Sequence, residues 1–205
     1  MKLNSLFLRC LNIEYTNVEN SGSYAIESIG STLYIYFQGS DGLTDWKNNL
    51  DFPAKVKKGR DNIDFLCHRG FLRVWSSIEP YVTPHICNKR YKSIVIVGFS
   101  HGGALACLCH EHVWSLRPDI RNKIFGYGFG APRVLWGLRS LLIRKRWKSF
   151  TVIRNIDDIV THLPPALFGY FHVGTLLEIG TKGKYTRIDA HRPENIKEEL
   201  RLYEK

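Results

Sequence analysis

Residues 94–106 constrain the fold of this chain more than any other stretch. They comprise a β-branched apolar run, a Gly-X-Ser-X-Gly pentapeptide centred on Ser100, and a run of small helix-forming residues. This order predicts a strand, a sharp turn and a helix. A serine at such a corner is held in a strained backbone with its hydroxyl clear of the sheet, and the flanking Gly98 and Gly102 avoid clashes of Cβ atoms with neighbouring elements. The segment therefore predicts a nucleophilic serine.

Predicted strands and helices alternate along the rest of the chain. Strands are expected at residues 32–37, 94–97, 124–132, 149–153 and 175–179. Helices are expected at residues 70–87, 104–116, 134–147 and 193–200. Pro80 and Pro84 lie inside the first of these helices and are expected to end or kink it. The alternation favours a mostly parallel sheet flanked by helices.

Composition limits the class of protein. The 205 residues, 44% of them hydrophobic, suffice for one α/β domain, and no apolar run approaches the length of a membrane span. Five cysteines are an odd number for a disulfide framework and predict reduced thiols. Because the N-terminal stretch is also too short and polar for a convincing signal peptide, a cytoplasmic protein is expected. The formal net charge of +10 favours anionic surfaces, but no nucleic-acid motif accompanies it.

A serine hydroxyl is a weak nucleophile at neutral pH and needs a base, with an acid that orients the base. At a corner of this kind the acid and then the histidine follow the serine in the chain. Two carboxylates, Asp157 and Asp158, come after the strand predicted at residues 149–153. The histidines beyond them are His162, His172 and His191. The residues alone leave both acids and all three histidines open.

Blocks of sequence on both sides of Ser100 resemble a known family. They are Tyr-Phe-Gln-Gly-Ser at 36–40 with Asp-Trp at 45–46 and Asn-Leu at 49–50, Cys-His-Arg-Gly-Phe at 67–71, the corner at 98–103, Gly-Phe-Gly-Ala-Pro-Arg at 128–133, and Asn-Ile-Asp-Asp-Ile-Val-Thr-His-Leu-Pro-Pro at 155–165. In this order the blocks resemble the class-three lipase family, the fungal-lipase-like branch of the α/β-hydrolases. The resemblance implies an α/β-hydrolase fold, a mostly parallel central sheet flanked by helices. The chain is expected to be a single domain over residues 1–205 with a family-like core at about 32–200.

The resemblance also implies a role for particular residues. Aligned on the double proline, the family's catalytic acid falls on Asp158, and Asp157 becomes a solvated or capping carboxylate. His191 lies between the last strand and the terminal helix, where the family carries its base, whereas His172 matches a non-catalytic position. The catalytic set is thus Ser100, Asp158 and His191.

An oxyanion hole needs backbone or side-chain donors fixed in place before charge develops. The backbone N–H of His101 is one donor by its position, and the resemblance supplies Ser40 as another. The sequence departs from the family at Gln38, usually arginine, at His101, commonly leucine, and at Thr161, usually proline. No departure removes a member of the catalytic set, although the His101 imidazole is an alternative base beside the nucleophile.

Residues 43–50 correspond to a lid helix in fungal members of the family. Leu43, Trp46 and Leu50 lie at helical spacing on one face, which either inserts into lipid as a lid or substrate contact, or packs on the core. Packing is the favoured interpretation, because Asp45 and Trp46 also occur in members without an obvious lid.

Two further patterns are weighed against plain structural roles. Cysteines and histidines at residues 107–112 lack the spacing of a zinc site, so no metal and no other cofactor is expected. Basic residues at 133–148 alternate with leucines and a tryptophan, a pattern typical of a helix with a solvated basic face and also of adhesion to anionic headgroups. The solvated face is the favoured interpretation.

The catalytic set and the family resemblance together imply a serine carboxylester hydrolase acting through an acyl-enzyme on Ser100. Its substrates are expected to be acyl glycerides, phospholipids or simpler esters, with an anionic membrane surface as a further partner and no nucleic acid. The alternative is a catalytically idle α/β-hydrolase scaffold that binds anionic lipid or a protein partner. The sequence predicts neither acyl-chain preference nor oligomeric state.

Overall fold

The computed structural model describes residues 2–18, 22–39, 54–58 and 64–205. Within these ranges the helices are α1 Leu3–Asn12, α2 Arg69–Cys87, α3 His101–Leu116, α4 Gly137–Leu142 and α5 Pro193–Tyr203. The strands are β1 Thr16–Val18, β2 Gly22–Ile29, β3 Thr32–Phe37, β4 Ala54–Lys57, β5 Phe65–His68, β6 Ser93–Phe99, β7 Ile124–Phe129, β8 Leu135–Trp136, β9 Phe150–Asn155, β10 Tyr170–Phe171 and β11 Thr175–Ile179. Short 3₁₀ turns connect them at Pro118–Lys123, Arg144–Trp147, Val160–His162, Ala166–Phe168 and Asp189–His191.

A sheet of seven described strands in the order β1-β2-β3-β6-β7-β9-β11 forms the centre of the molecule. The parallel part of this sheet consists of β3, β6, β7, β9 and β11. Strands β1 and β2 add antiparallel strands at one edge. Gly98 pairs with Phe37 of β3 and with Gly128 of β7. The residue that follows β6 therefore emerges at the carboxyl-terminal edge of the sheet, between two neighbouring strand ends. The predicted mostly parallel sheet is confirmed.

Both faces of the central strands are apolar, as expected for a strand covered on both sides. In β6, Ile94 and Ile96 face the core that α2 and α3 complete, whereas Val95 and Val97 face the core that α1 and α5 complete. The period-two alternation thus divides one β-branched run between two layers of helices.

Helix α2 continues through both of its internal prolines, so of the two expected effects they do not end the helix. Trp75, Ile78 and Val82 are fully buried along one face of the helix. This packing outweighs the hydrogen bonds that the prolines cannot donate.

A second, smaller sheet has the order β10-β8-β5-β4 and is antiparallel. It replaces the start of the helix expected at residues 134–147, because β8 pairs with β5 on one side and β10 on the other. Only the six residues of α4 and a 3₁₀ turn are helical in that stretch. The N-terminal elements α1, β1 and β2 also had no counterpart in the prediction.

No helix in the described part of the chain is long and apolar enough to cross a membrane.

Candidate active site

Ser100 occupies the turn between β6 and α3. Its φ is 54° and ψ is −122°, and it is the single described non-glycine residue with a positive φ. Its backbone N–H donates to the Phe129 carbonyl at 2.8 Å, which fixes the corner to β7. A Cβ on Gly98 would strike the Gly102 backbone, and one on Gly102 would strike the Phe37 carbonyl. The predicted strand, strained turn and helix are present, and the flanking glycines are needed for close approach of backbone to backbone.

The side chain of His191 reaches this corner from the other end of the chain. His191 ends the 3₁₀ turn Asp189–His191, directly before α5, and its Nε2 lies 2.8 Å from the Ser100 hydroxyl oxygen. The ring of Phe99 stacks on the imidazole with centroids 5.2 Å apart. A Cβ on Gly130, whose φ is 56°, would come within 2.9 Å of the His191 ring. The imidazole is therefore held between the β6 and β7 strand ends.

Asp158 completes the hydrogen-bonded chain. Its Oδ2 lies 2.8 Å from His191 Nδ1, and its Oδ1 accepts from the Val160 N–H at 2.8 Å. The carboxylate is fully buried. With this group ionised, Nδ1–H donates to it and Nε2 is left to accept the proton of Ser100. The geometry of a serine activated by an oriented base is thus present in the free protein.

Asp157, the neighbouring acid, is placed elsewhere. Its Oδ2 accepts from the Gly183 N–H at 2.6 Å, in the loop after β11. The two carboxylates that the sequence could not separate therefore have different surroundings, and Asp158 is the one that contacts a histidine.

The ring of His101 lies outside the hydrogen-bonded series of Ser100, His191 and Asp158. The imidazole packs edge-on against Phe71, with ring centroids 5.4 Å apart, and Phe71 in turn stacks on His68 at 4.2 Å. Burial lowers the pKa of His101 to about 4, so the ring is neutral at neutral pH. The Ser100 hydroxyl is hydrogen-bonded to His191 and not to this ring.

The other two candidate histidines lie outside the bonded chain. His172 is hydrogen-bonded through Nε2 to the Thr161 carbonyl at 2.7 Å, and burial lowers its pKa to about 4. Burial and neighbouring arginines also lower the pKa of His162. Neutral rings in these positions fit structural roles.

Several predicted site residues lie outside the described residues. They are the proposed oxyanion donor and the helical face suggested as a lid: Ser40, Leu43, Trp46 and Leu50. Among the residues that the structure describes, no group of three His, Cys, Asp or Glu side chains is placed to hold a metal. Cys107 and Cys109 are buried within α3, and burial raises the pKa of both thiols.

Sequence reasoning alone did not identify the residues that hold the base. Phe99 stands at the second position of the pentapeptide, and Gly130 lies inside the Gly-Phe-Gly-Ala-Pro block. The spacing of glycines around Phe129 was a usable signal, because alternate glycines at a strand end indicate close approach of another group.

The sequence is similar to those of known lipases. A family model described as Lipase (class 3) matches residues 34–168. A lipase from Rhizomucor miehei is 29% identical over 154 residues, which cover 70% of this chain and 40% of the relative. The secreted mono- and diacylglycerol lipase 1 of Fusarium solani is 26% identical over 161 residues, covering 74% of this chain and 45% of the relative. The chain spans less than half the length of these two relatives.

Solved structures give the same architecture. A deletion mutant of Rhizomucor miehei lipase in its propeptide complex has a TM-score of 0.72 at 23% identity, covering 88% of this chain and 63% of that one. A triacylglycerol lipase, described as having a serine protease triad at its catalytic centre, has a TM-score of 0.71 at 24% identity, covering 82% of this chain and 66% of that one. The fold is shared with these lipases.

The parallel sheet, the strained serine at its carboxyl-terminal edge and the bonded histidine and aspartate define an α/β-hydrolase fold, as expected. The chain belongs to the class 3 lipase family, since the family model matches well over half of it. The resemblance seen in the sequence blocks is confirmed.

The expected cytoplasmic location is wrong. The curated relatives are fungal lipases, and the Fusarium solani relative is named as secreted, which contradicts a cytoplasmic assignment. The odd number of cysteines misled the prediction, because unpaired thiols buried in a core, as four of the five are here, say little about the compartment.

Proposed function

We propose that the chain is a serine carboxylester hydrolase that cleaves acylglycerols through an acyl-enzyme on Ser100. The observation that carries the proposal is the unbroken series of hydrogen bonds from Ser100 through His191 to Asp158. Membership of the class 3 lipase family supports the choice of a lipid ester as substrate. Relatives named as a lipase and as a mono- and diacylglycerol lipase support acylglycerols in particular.

In the first half-reaction Ser100 Oγ attacks the acyl carbonyl carbon while His191 Nε2 takes the hydroxyl proton. Asp158 keeps Nδ1 protonated and stabilises the imidazolium that forms. Collapse of the tetrahedral intermediate breaks the bond to the leaving alcohol, which receives the proton from Nε2. A water then attacks the acyl-enzyme with His191 again as base, releasing the fatty acid and restoring Ser100.

The negative oxygen of each tetrahedral intermediate needs donors already in place. The backbone N–H of His101 follows the nucleophile at the start of α3, where the helix dipole also favours an anion. Ser40 is proposed as the second donor by family resemblance, and loss of one donor is expected to reduce the rate by about 10²- to 10³-fold.

The positive charge of the chain supports action at a lipid surface. A net charge of +10 attracts anionic headgroups at a lipid surface. An anionic membrane is therefore part of the proposed setting.

The test compares hydrolysis of tributyrin, dioleoylglycerol, monooleoylglycerol, phosphatidylcholine and a soluble butyrate ester by wild type and Ser100→Ala. Ser115→Ala is the matched control, since it makes the same substitution on α3 away from the corner. We expect acylglycerol hydrolysis by wild type and control, and a loss of roughly 10⁴-fold or more for Ser100→Ala. Turnover of phosphatidylcholine alone would overturn the substrate assignment. No Ser100-dependent turnover of any ester by folded protein would favour the idle scaffold.

A further inference from the structure

Four large apolar side chains in two paired segments are each more than 60% exposed. Leu138 and Leu142 of α4 are 81% and 79% exposed, and Leu167 and Phe168 of the 3₁₀ turn Ala166–Phe168 are 92% and 63% exposed. Four exposed basic residues accompany them in α4 and in the turn that follows: Arg139, Arg144, Lys145 and Lys148. These eight residues are called the basic-apolar face.

The two segments of this face are joined by backbone pairing. Strands β8 and β10 lie side by side, and the Gly137 N–H at the start of α4 donates to the Gly169 carbonyl at 3.2 Å. The Trp136 indole N–H donates to the Phe168 carbonyl at 2.6 Å. The exposed turn therefore sits against the first residue of α4, and the basic 3₁₀ turn Arg144–Trp147 begins two residues after α4 ends.

Other side chains of the same segment already anchor it to the protein. Ile143 and Trp147 are buried, and the Trp147 indole donates to the Cys107 carbonyl at 2.8 Å. Arg146 is also buried and pairs with Glu111 at 2.7 Å. The exposed leucines and cations are thus additional to the residues that pack this segment, and the core does not account for them.

The charge of the region is of one sign. No aspartate or glutamate occurs between Ile120 and Ile156. The buried Glu111 is already paired with Arg146 and with Lys57. The cations of the basic-apolar face therefore have no acid in their own stretch of sequence, and they complement an anionic partner.

Ring contacts connect the small sheet beside this face to the active-site corner. Tyr170 of β10 lies 5.9 Å from His68, measured between ring centroids. His68 stacks on Phe71, which contacts the ring of His101 beside the nucleophile. The apolar part of the face therefore adjoins elements that reach the active site, whereas its basic end lies towards the amino-terminal edge of the central sheet, because Lys148 comes just before β9, which begins at Phe150.

We propose that the basic-apolar face docks the protein on an anionic phospholipid bilayer, with the leucines and Phe168 entering the interface and the cations contacting headgroup phosphates. Protruding leucines flanked by arginine and lysine match interfacial insertion, because apolar tips enter the acyl boundary while cations remain at the headgroups. A nucleic acid would leave the leucines unused, and a second copy of this face would be repelled. This docking role goes beyond the proposed lipase activity. It rests on that activity, because a lipase needs access to a lipid surface.

The test measures vesicle binding by flotation, with every protein carrying Ser100→Ala so that binding is read without hydrolysis. Vesicles consist of phosphatidylcholine alone or of phosphatidylcholine with phosphatidylserine. Charge reversal in Arg144→Glu with Lys145→Glu is matched by Lys197→Glu with Arg201→Glu, which are exposed residues of α5 on the other side of the central sheet. Leu138→Asp with Leu142→Asp is matched by Ile29→Asp with Leu202→Asp, two other exposed apolar residues. Thermal unfolding verifies that each variant is folded.

We expect binding to vesicles that contain phosphatidylserine and weak binding to phosphatidylcholine alone. The reversal at Arg144 and Lys145 should weaken binding roughly thirtyfold or more, the leucine pair should weaken it by at least about tenfold, and both controls should bind within about threefold of the parent. Equal losses in the controls, or unchanged binding by the face variants, would overturn the proposal. Binding of an oligonucleotide that depends on Arg144 and Lys145 but not on the leucines would assign the face to nucleic acid instead. Since Ser100 is absent from this assay, failure of the docking surface and failure of the lipase proposal are separate results.

Discussion

At the scale of single residues, the position of one carboxylate decides how the base is oriented. Asp158 contacts His191 Nδ1 at 2.8 Å, whereas Asp157 accepts from the Gly183 backbone. The two acids are neighbours in sequence. The same substitution at both positions therefore separates the loss of the contact with His191 from the general effect of replacing a carboxylate by an amide.

Asp158→Asn is expected to reduce kcat on tributyrin by about 10⁴-fold, because an amide at this position no longer stabilises the imidazolium and favours the wrong tautomer of His191. Asp157→Asn should stay within about threefold of wild type. Initial rates with both purified variants test this, and a comparable loss in the two would contradict the assigned geometry.

The buried histidines make stability depend on pH. The pKa of His101 is about 4 when folded, against an ordinary value of 6.5, and that of His172 is also about 4. In the unfolded chain these rings take up a proton as pH falls through 6.5, but in the folded protein they take it up only near 4. Acid therefore favours unfolding between these values.

We expect the free energy of unfolding to fall from pH 6.5 towards pH 4, with each such histidine contributing a slope of up to about 1.4 kcal/mol per pH unit. His101→Leu should reduce this slope by up to about 1.4 kcal/mol per pH unit, the equivalent of one proton. Above pH 7 the free energy of unfolding of the variant should stay independent of pH. Urea unfolding at pH 7.5, 6, 5.5 and 5 measures the slope. An unchanged slope in His101→Leu would contradict the lowered pKa, because it would mean that the ring binds protons equally in the folded and unfolded chains.

The residues of the site were only partly predictable. Ser100 was predictable from local sequence, since a β-branched run, a Gly-X-Ser-X-Gly pentapeptide and small helix formers together predict the corner. The residues alone did not distinguish Asp157 from Asp158. Which carboxylate contacts Gly183 and which contacts His191 depends on how loops that are distant in sequence pack together. The order of the family blocks supplied that missing information.

At the scale of elements, the central strands were predictable and the small sheet was not. Apolar runs on both faces predict β3, β6 and β7 directly. Strand β8 has two residues, and its pairing with β5 and β10 depends on segments distant in sequence, so residues 134–147 read as a helix. Sequence periodicity predicts helices and strands that have a local apolar pattern. It does not predict strands that form only by pairing with distant segments.

A buried ion cluster ties the small sheet and its connections to α3. Glu111 of α3 lies 3.3 Å from Lys57 of β4 and 2.7 Å from Arg146, and all three side chains are buried. Removal of the Glu111 charge would take this buried partner away from both cations, and such a loss is more costly than the pair is stabilising.

Glu111→Gln is expected to lower the free energy of unfolding by about 3–5 kcal/mol. Glu178→Gln is the matched control, because its partner Arg154 and the half-exposed carboxylate lie on the surface, and it should cost about 0–1 kcal/mol. Urea unfolding of both variants provides the comparison. Equal stabilities would mean that the cluster contributes no more than a surface pair.

At the scale of the whole molecule, both ends of the chain join the same layer. Helices α1 and α5 complete one core against the central sheet, and the Asn4 N–H lies 3.4 Å from the Glu204 carboxylate. Because one sheet separates and supports both cores, we propose that the chain is a single domain.

A single domain predicts one cooperative unfolding transition. Fluorescence of the buried Trp75 and Trp147 reports the core with α2 and α3, whereas far-ultraviolet circular dichroism reports all helices. The two urea transitions are expected to coincide. Separate midpoints would divide the chain into independently unfolding parts.

The most direct test of the account is covalent labelling of Ser100 by a fluorophosphonate, located by peptide mass mapping. We predict one adduct per folded molecule, confined to the peptide that contains Ser100, and labelling at least about a hundredfold slower in His191→Ala, because the hydroxyl then lacks its base. Folded wild-type protein that forms no adduct on Ser100, or that labels equally fast without His191, would contradict a nucleophile activated by this histidine.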